Sequence, residues 1–441
     1  MAVEWREATL NALGRIVTGK TPPSGRPEYF GGDIPFITPT DLDGRRFIAT
    51  TGRYLTREGV ASVGSSYLPA KSVLVSCIGS DMGKAAMSTC ESVTNQQINS
   101  IIVEGENDPL FVYYNLSARK EEIRIAAGGS AQPILNKSDF GRLEINLPPP
   151  EEQRAIARIL GALDDKIEMN RRMNETLEAM ARALFKSWFV DFDPVRAKAE
   201  GRDPDLPKHV ADMFQDSFKK SDLGEIPATW AIKTAGDVAK RIAMGPFGSS
   251  IKVETFVDHG VPIISGQHLH DFILSDTTHN FITNDHAEKL SNAVVQRGDV
   301  IFTHAGNIGQ VAFIPDESRY SRYVISQRQF YMRCDPTQVS PLFVTLNFRS
   351  EQGRHQLLAN TSSSGVPSIA RPVSYLRSIP MPVPPTGLLA DFERLVCPLI
   401  VRLQSNRRQS ETLSAIRDAL LPKLMSGELR VTTAAEHLAA I

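Results

Sequence analysis

The stretch from Leu147 to Phe189, LPPPEEQRAIARILGALDDKIEMNRRMNETLEAMARALFKSWF, decides how the chain is organised. After its proline-rich opening, apolar residues recur at Ile156, Leu160, Leu163, Ile167, Leu177, Leu184 and Trp188, and Asn170, Asn174 and Ala181 complete the series. Steps of three, four and seven are those of a coiled-coil seam. The register returns at Phe392, Val396, Leu399, Leu403, Leu413, Leu420 and Leu424, with Asn406 where Asn170 stands. A continuous helix from Glu151 to Phe189 would reach about 58 Å at 1.5 Å per residue, more than its own small domain can bury. The economical solution pairs the two seams antiparallel within one molecule, with a globular domain at each end and with Asn170 and Asn406 fixing the register. Gly161 and Pro398, one position apart in the aligned copies, predict a shared kink.

Working outward, the rest of the chain is also duplicated. Trp5 matches Trp230, Ile34 to Ile37 match Val261 to Ile264, Ser72 to Ser76 match Asp299 to Thr303, and Pro109 to Val112 match Pro341 to Val344. The order never changes, while the offset drifts from 225 to 236, as loop insertions in a diverged repeat would make it. Short apolar runs broken by Gly, Pro, Ser and Asn read as strands, with one helix expected after Pro109 and one after Pro341. The expected fold class is α+β (mixed α/β), with two pseudo-repeated globular domains separated by two long antiparallel coiled-coil helices. The expected boundaries are a first domain at 1–150, a helical spacer at 151–190, a linker at 191–226, a second domain at 227–385, a C-terminal helix at 386–427 and a tail at 428–441. The linker, rich in Pro and charge, should hold one short helix around Val210 to Phe218.

Composition narrows the function classes. With 441 residues, 49 Lys plus Arg against 50 Asp plus Glu, and 41% hydrophobic residues, the chain is neither disordered nor a basic nucleic-acid coat. Cys77, Cys90, Cys334 and Cys397 fall at no disulfide or zinc spacing. No signal peptide and no long apolar span is legible, so a soluble cytoplasmic protein without membrane contact is expected.

Two strings resemble chemistry. Gly14-Arg15-Ile16-Val17-Thr18-Gly19-Lys20-Thr21 matches the phosphate-loop pattern, but Pro22, Pro23 and Pro27 forbid the helix that such a loop must open, and the repeat loses the lysine. Six of nine histidines lie between His259 and His304, and His268-x-His270 could hold a metal; no HExxH or CxxC supports one, and loop positions facing solvent or a nucleic-acid groove are expected. There remain two Gly-containing loops, Ile78 to Lys84 and Ala305 to Gln310, each followed by a polar cluster, Asn95-Gln96-Gln97 and Ser326-Gln327-Arg328. Composition alone explains these as hairpin turns. As recognition loops, their amides and guanidinium would read adenine and guanine edges while Lys84 and backbone amides steady phosphates.

These residues carry a resemblance to the specificity subunits of type I restriction-modification enzymes. It rests on the duplicated order of domain then helix, Gly19-Lys20-Thr21-Pro22, the Gly79 to Lys84 and Asn-Gln-Gln segments, the exit from Gln132-Pro133-Ile134-Leu135-Asn136-Lys137-Ser138-Asp139 through Leu147 to Gly201, and Leu223-Gly224-Glu225-Ile226-Pro227. The second copy departs at Ser326-Gln327-Arg328 and at Thr386-Gly387-Leu388. The resemblance implies a non-catalytic subunit of an adenine-N6 DNA methyltransferase and restriction endonuclease complex. Each domain would read half of a split double-stranded DNA target, and the helices would set the spacer. They would also dock two modification subunits, with restriction/translocase subunits completing the assembly. No cofactor is expected on this chain; S-adenosylmethionine, ATP and Mg would belong to the partners. The expected DNA-binding set is Lys20, Lys84, Asn95, Gln96, Gln97, Gln132, Lys137, His304, Asn307, Gln327 and Arg328. The alternative is a duplicated scaffolding adaptor or, through Gly14 to Thr21, a nucleotide-binding protein.

Overall fold

The computed structural model describes residues 5–79, 81–128, 134–248, 250–276, 279–362 and 365–431. The chain forms two compact units, Met1–Arg172 with Arg407–Ile441, and Met173–Asn406.

In the first unit Arg6–Thr9 pairs antiparallel with Glu144–Leu147. One sheet has the strand order Gly14–Thr18, Ile98–Val103, Val73–Ser76, Ala85–Ser88, Phe47–Ile48, and a second has Tyr54–Leu55, Phe30–Ile37, Ser92–Thr94, Tyr67–Leu68. Val73–Ser76 is buried at every residue, which is why its sequence runs apolar instead of alternating. The second unit repeats the plan. Ala231–Thr234 pairs with Pro380–Val383. One sheet is ordered Ala239–Met244, Gln329–Cys334, Asp299–Thr303, Val311–Phe313, and the other Phe281–Ile282, Val261–Ile264, Arg322–Ile325, Val294–Gln296.

A helix was expected after each of Pro109 and Pro341, and each is a pair: Pro109–Ser117 with Lys120–Ala126, and Pro341–Arg349 with Glu351–Leu358. Proline suits the first helical position, where its missing N–H costs nothing. Asp108 accepts from the Leu110 and Phe111 amides, and Ser340 from the Phe343 amide. The second break arises because Ser350 caps a new helix, accepting from Gly353 N at 3.1 Å.

The two long helices run Pro150–Phe189 and Thr386–Ser426, helical through Gly161 and Pro398. Gln153 braces the first start, donating to Pro148 O and accepting from Asp108 N, both at 2.9 Å. In the first unit Asp164 meets Arg417 and Asn170 donates to Gln409 and Ser410; in the second, Asn406 donates to Asn174 and Phe392 packs on Trp188 and Phe189. Within each unit the numbers rise on one helix as they fall on the other, so the segments are antiparallel. The polar seam positions thus bond across helices, Asn170 to Gln409 and Asn406 to Asn174.

The seam is wider than the sequence pattern drew it. Ile156, Leu160, Leu163, Trp188, Phe392, Val396, Leu403 and Leu424 are buried, while Ile167, Leu177, Leu184, Leu399, Leu413 and Leu420 are half-buried. Ala157, Phe185, Phe189 and Ile400 add to the stripe and join the globular cores: Ile156, Ala157 and Leu160 pack with Phe111, Phe140 and Leu424, and Phe185 and Phe189 with Phe343 and Phe392. The helix ends are therefore core elements of their units, with the broad apolar face of a globular helix.

The segment read as a linker is folded. Asp193–Ala199 and Lys208–Ala211 are helical, so the short helix lies slightly ahead of the expected 210–218, and Phe218–Ser221 pairs with Gly224–Pro227. Phe192, Val195, Val210, Phe214 and Ile226 are buried in the second unit's core, with Phe192 edge-on to Trp230 at 5.2 Å. Aromatic residues scattered among prolines and charges gave no periodic signal of this burial.

One polar network lies where the first unit's sheets meet its helices. Arg46 reaches Asp165, Tyr114 Oη (3.1 Å) and Gly161 O (3.2 Å); Tyr114 Oη donates to Asp164 at 2.7 Å, and Arg417 donates to the other Asp164 oxygen at 2.7 Å. Burial first, and then the Asp164 carboxylate, push the Tyr114 phenol well above its usual range.

Candidate nucleic-acid interface

The two units build the same hydrogen-bonded scaffold from different residues. In the first, Asn95 N donates to Ile37 O, Ile98 N to Asn95 O, Gly19 N to Ile98 O, Cys77 N to Gln97 O, Leu135 N to Cys77 O and Gly83 N to Ser76 O. In the second, the matching bonds run Ser326 N to Ile264 O, Gln329 N to Ser326 O, Gly245 N to Gln329 O, His304 N to Arg328 O, Ile369 N to His304 O and Gly309 N to Thr303 O. A tight turn, 95–98 or 326–329, therefore lies beside a glycine loop in each unit. Gly19 and Gly245 are required by close approach: a Cβ there would lie 2.0 Å from Asn95 O and 2.2 Å from Ser326 O.

The groups on this scaffold differ in freedom. In the first unit Asn95 is buried and its amide is spent inside the turn, donating to Gln97 Oε1 (2.9 Å) and accepting from Gln97 N (3.1 Å). Asn95 is thus a brace of the turn and not an exposed reader. Gln96 is exposed and accepts from Thr21 Oγ1 at 2.7 Å, and Lys84 pairs with Asp81 at 2.8 Å. Lys20 is exposed, donating to Ser65 Oγ at 3.0 Å, and Lys137 is exposed in the first turn of Lys137–Gly141. Gln132 lies outside the described residues, as does Ser80 of the glycine loop. In the second unit Asn307, Gln327 and Arg328 are exposed, and among the described residues their side chains make no hydrogen bond or ion pair. His304 is half-buried and donates through Nε2 to Gln327 O at 3.1 Å; burial lowers its pKa, which keeps the imidazole neutral at pH 7 as a brace of the turn.

The other sequence signals resolve into structure. Gly14–Thr18 is a strand and the chain beyond Thr21 is not helical until the short turn Pro27–Tyr29, so the phosphate-loop string lacks its defining strand-to-helix geometry. His268 and His279 are buried, which corrects the expectation that these loop histidines face solvent or a groove: the rings stack at 4.2 Å, and His279 sits 3.5 Å from Asp276, which Tyr323 Oη bonds at 2.6 Å. Among the described residues no cluster of His, Cys, Asp and Glu could hold a metal, and no helix is long and apolar enough to cross a membrane.

Residues 2–179 match the model of the type I restriction modification DNA specificity domain. The chain is 28% identical over 445 residues to the type I restriction enzyme MjaIX specificity subunit of Methanocaldococcus jannaschii, covering 97% of this chain and 94% of that one. Over nearly its whole length the chain is thus similar to type I restriction-modification specificity subunits. A second relative, the type I restriction enzyme HindI specificity subunit of Haemophilus influenzae, is 37% identical over 188 residues, 41% of this chain and 40% of its own. The fold is shared with the crystal structure of a type I restriction-modification system S subunit from M. genitalium, with a TM-score of 0.56 at 16% identity over 96% of both chains.

Proposed function

We propose that this chain is the DNA-recognition subunit of a type I restriction-modification complex, non-catalytic itself, in which each globular unit reads one half of a split duplex target. The observation that carries the reading is the repeated scaffold: the same bonded turn is built twice, once presenting Gln96 and Gln97 and once Gln327 and Arg328. A scaffold held constant while a side chain on it changes, half-buried Gln97 in one unit and exposed Arg328 in the other, is what two half-sites of different sequence require. Amides and guanidinium supply bidentate contacts to purine edges, and Lys20 and Lys137 supply phosphate contacts. The long helices, each shared by both units, set the spacer and dock two methyltransferase subunits, with translocase subunits beyond them. S-adenosylmethionine, ATP and Mg would be used by those partners. The net charge of -1 fits a subunit whose partners supply much of the phosphate binding.

The test is to map methylated adenines in DNA exposed to the reconstituted complex; methylation confined to a bipartite sequence is expected. Methylation without sequence preference would leave only the scaffolding role. Exchanging residues 5–149 for the matching segment of another family member should change one half of that sequence only. Arg328→Ala should cost about 1–3 kcal/mol and relax preference at one base pair, whereas Lys20→Ala should weaken all sequences evenly and lower the salt slope by about 1. Equilibrium binding to single-base variants across a salt series reads both effects.

A further inference from the structure

In the first unit the glycine that touches the recognition turn, Gly19, is followed two residues later by Thr21, whose hydroxyl ties down Gln96. In the second unit the equivalent Gly245 is followed by Phe247, with 79% of its surface exposed. A second position has changed in the same sense. Pro367, whose carbonyl accepts from Gly306 N, is preceded by Val366, 63% exposed, where the first copy has Gln132 in sequence. The Phe247 loop is braced and does not dangle: Ser250 Oγ donates to Phe247 O at 2.7 Å and His286 Nε2 donates to Ser250 O at 2.9 Å. The ring borders a groove of about 630 Å³ that is also lined by Arg241, Lys289 and Asn292. An aromatic ring held in water two residues beyond the glycine that touches the turn of Gln327 and Arg328 is a costly surface unless something covers it.

We propose that Phe247 is a specificity-determining residue that makes an apolar contact with the 5-methyl group of a thymine in the half-site read by the second unit. The inference rests on the DNA-recognition reading above. Gln327 and Arg328 are suited to the major groove, where each base pair shows a distinct donor and acceptor pattern. The apolar feature of that groove is the thymine methyl, and a Phe side chain is one of its usual partners. In the first unit the same place is polar, because Thr21 there serves Gln96; the two half-sites should differ accordingly.

The experiment uses the full complex and duplexes bearing its mapped target, with each thymine of the second half-site replaced in turn by deoxyuridine. For the parent, removal of one methyl should weaken binding several-fold. Phe247→Ala should bind the thymine duplex about tenfold less tightly and no longer distinguish it from the deoxyuridine duplex, while Phe247→Leu keeps part of the discrimination. Because the ring is exposed, thermal melting of both variants should match the parent. The proposal fails if Phe247→Ala binds as the parent does, if it retains full discrimination, or if no thymine methyl in that half-site matters. It also fails if 2-aminopurine fluorescence shows the ring unstacking a base step as a wedge. Loss of specificity in Arg328→Ala with a parent-like Phe247→Ala would overturn this contact alone; absence of any sequence-specific binding by the parent complex would overturn the reading on which it rests.

Discussion

Arg417→Ala should destabilise the first unit by about 2 to 3 kcal/mol, enough to lower its melting transition by roughly 5 to 10 °C. The reason is what the substitution leaves behind. The Asp164 side chain is only 10% exposed, and without Arg417 one of its oxygens loses its charged donor while the other still accepts from Tyr114. Removing one partner of a buried pair strands the other, which costs more than the pair contributes net. Arg417 itself keeps 28% of its side-chain surface, so the loss falls short of that for a fully buried pair.

The second unit shows how to repair the defect. Met87 N donates to Arg46 O, and Phe313 N to Phe272 O, which equates Arg46 with Phe272; the repeat equates Tyr114 with Leu346, Asp164 with Ile400 and Arg417 with Ala181. All four counterparts are buried and apolar. Two solutions to the same joint therefore exist in one chain, one ionic and one hydrophobic. The triple variant Tyr114→Leu, Asp164→Ile, Arg417→Ala should recover most of the stability that Arg417→Ala loses, as apolar replacement of a buried ion pair commonly does. Calorimetric melting of the two variants beside the parent decides it. Equal transitions for Arg417→Ala and the parent would show the pair to be exposed in solution.

The same network shows where sequence reasoning stops. The helical seam was legible because Ile156, Leu160, Leu163 and their counterparts repeat with a period that only a helix satisfies, and the duplication was legible because its matches keep one order. Asp164 and Arg417 were not, since a charged residue on a long helix reads as solvated surface until a partner from distant sequence reaches it. Asn95 illustrates the converse: an amide in a turn looks like a reader, yet its bonds to Gln97 keep it inside. Phe247 gave no signal because an isolated phenylalanine reads as core. Aligning Gly19 with Gly245 by their shared contact with the turn is what places it two residues beyond the glycine that touches the turn of Gln327 and Arg328.

Adding about one helical turn to both long helices should shift the target to a longer spacer and leave both half-sites unchanged. The insertion belongs between Ile167 and Leu177 and at the facing stretch between Leu403 and Leu413, where the described bonds pair Asn170 with Gln409 and Asn174 with Asn406. Lengthening one helix alone would break one of those pairs, since antiparallel partners must move together. Four residues add about 6 Å, which is one to two base pairs of duplex at about 3.4 Å each. One extra base pair also turns the second half-site by about a tenth of a helical turn, so a rigid ruler should discriminate sharply between spacers. Four residues are not a whole heptad, and the local unwinding that follows supplies part of the compensating rotation. The parent complex should methylate one spacer length and lose activity by at least tenfold one base pair either side; the insertion variant should prefer a spacer one or two base pairs longer. Methylation by that variant at the original spacing, with no gain at longer ones, would mean that the distance is set by the docked methyltransferase subunits and that the helices serve only as their platform.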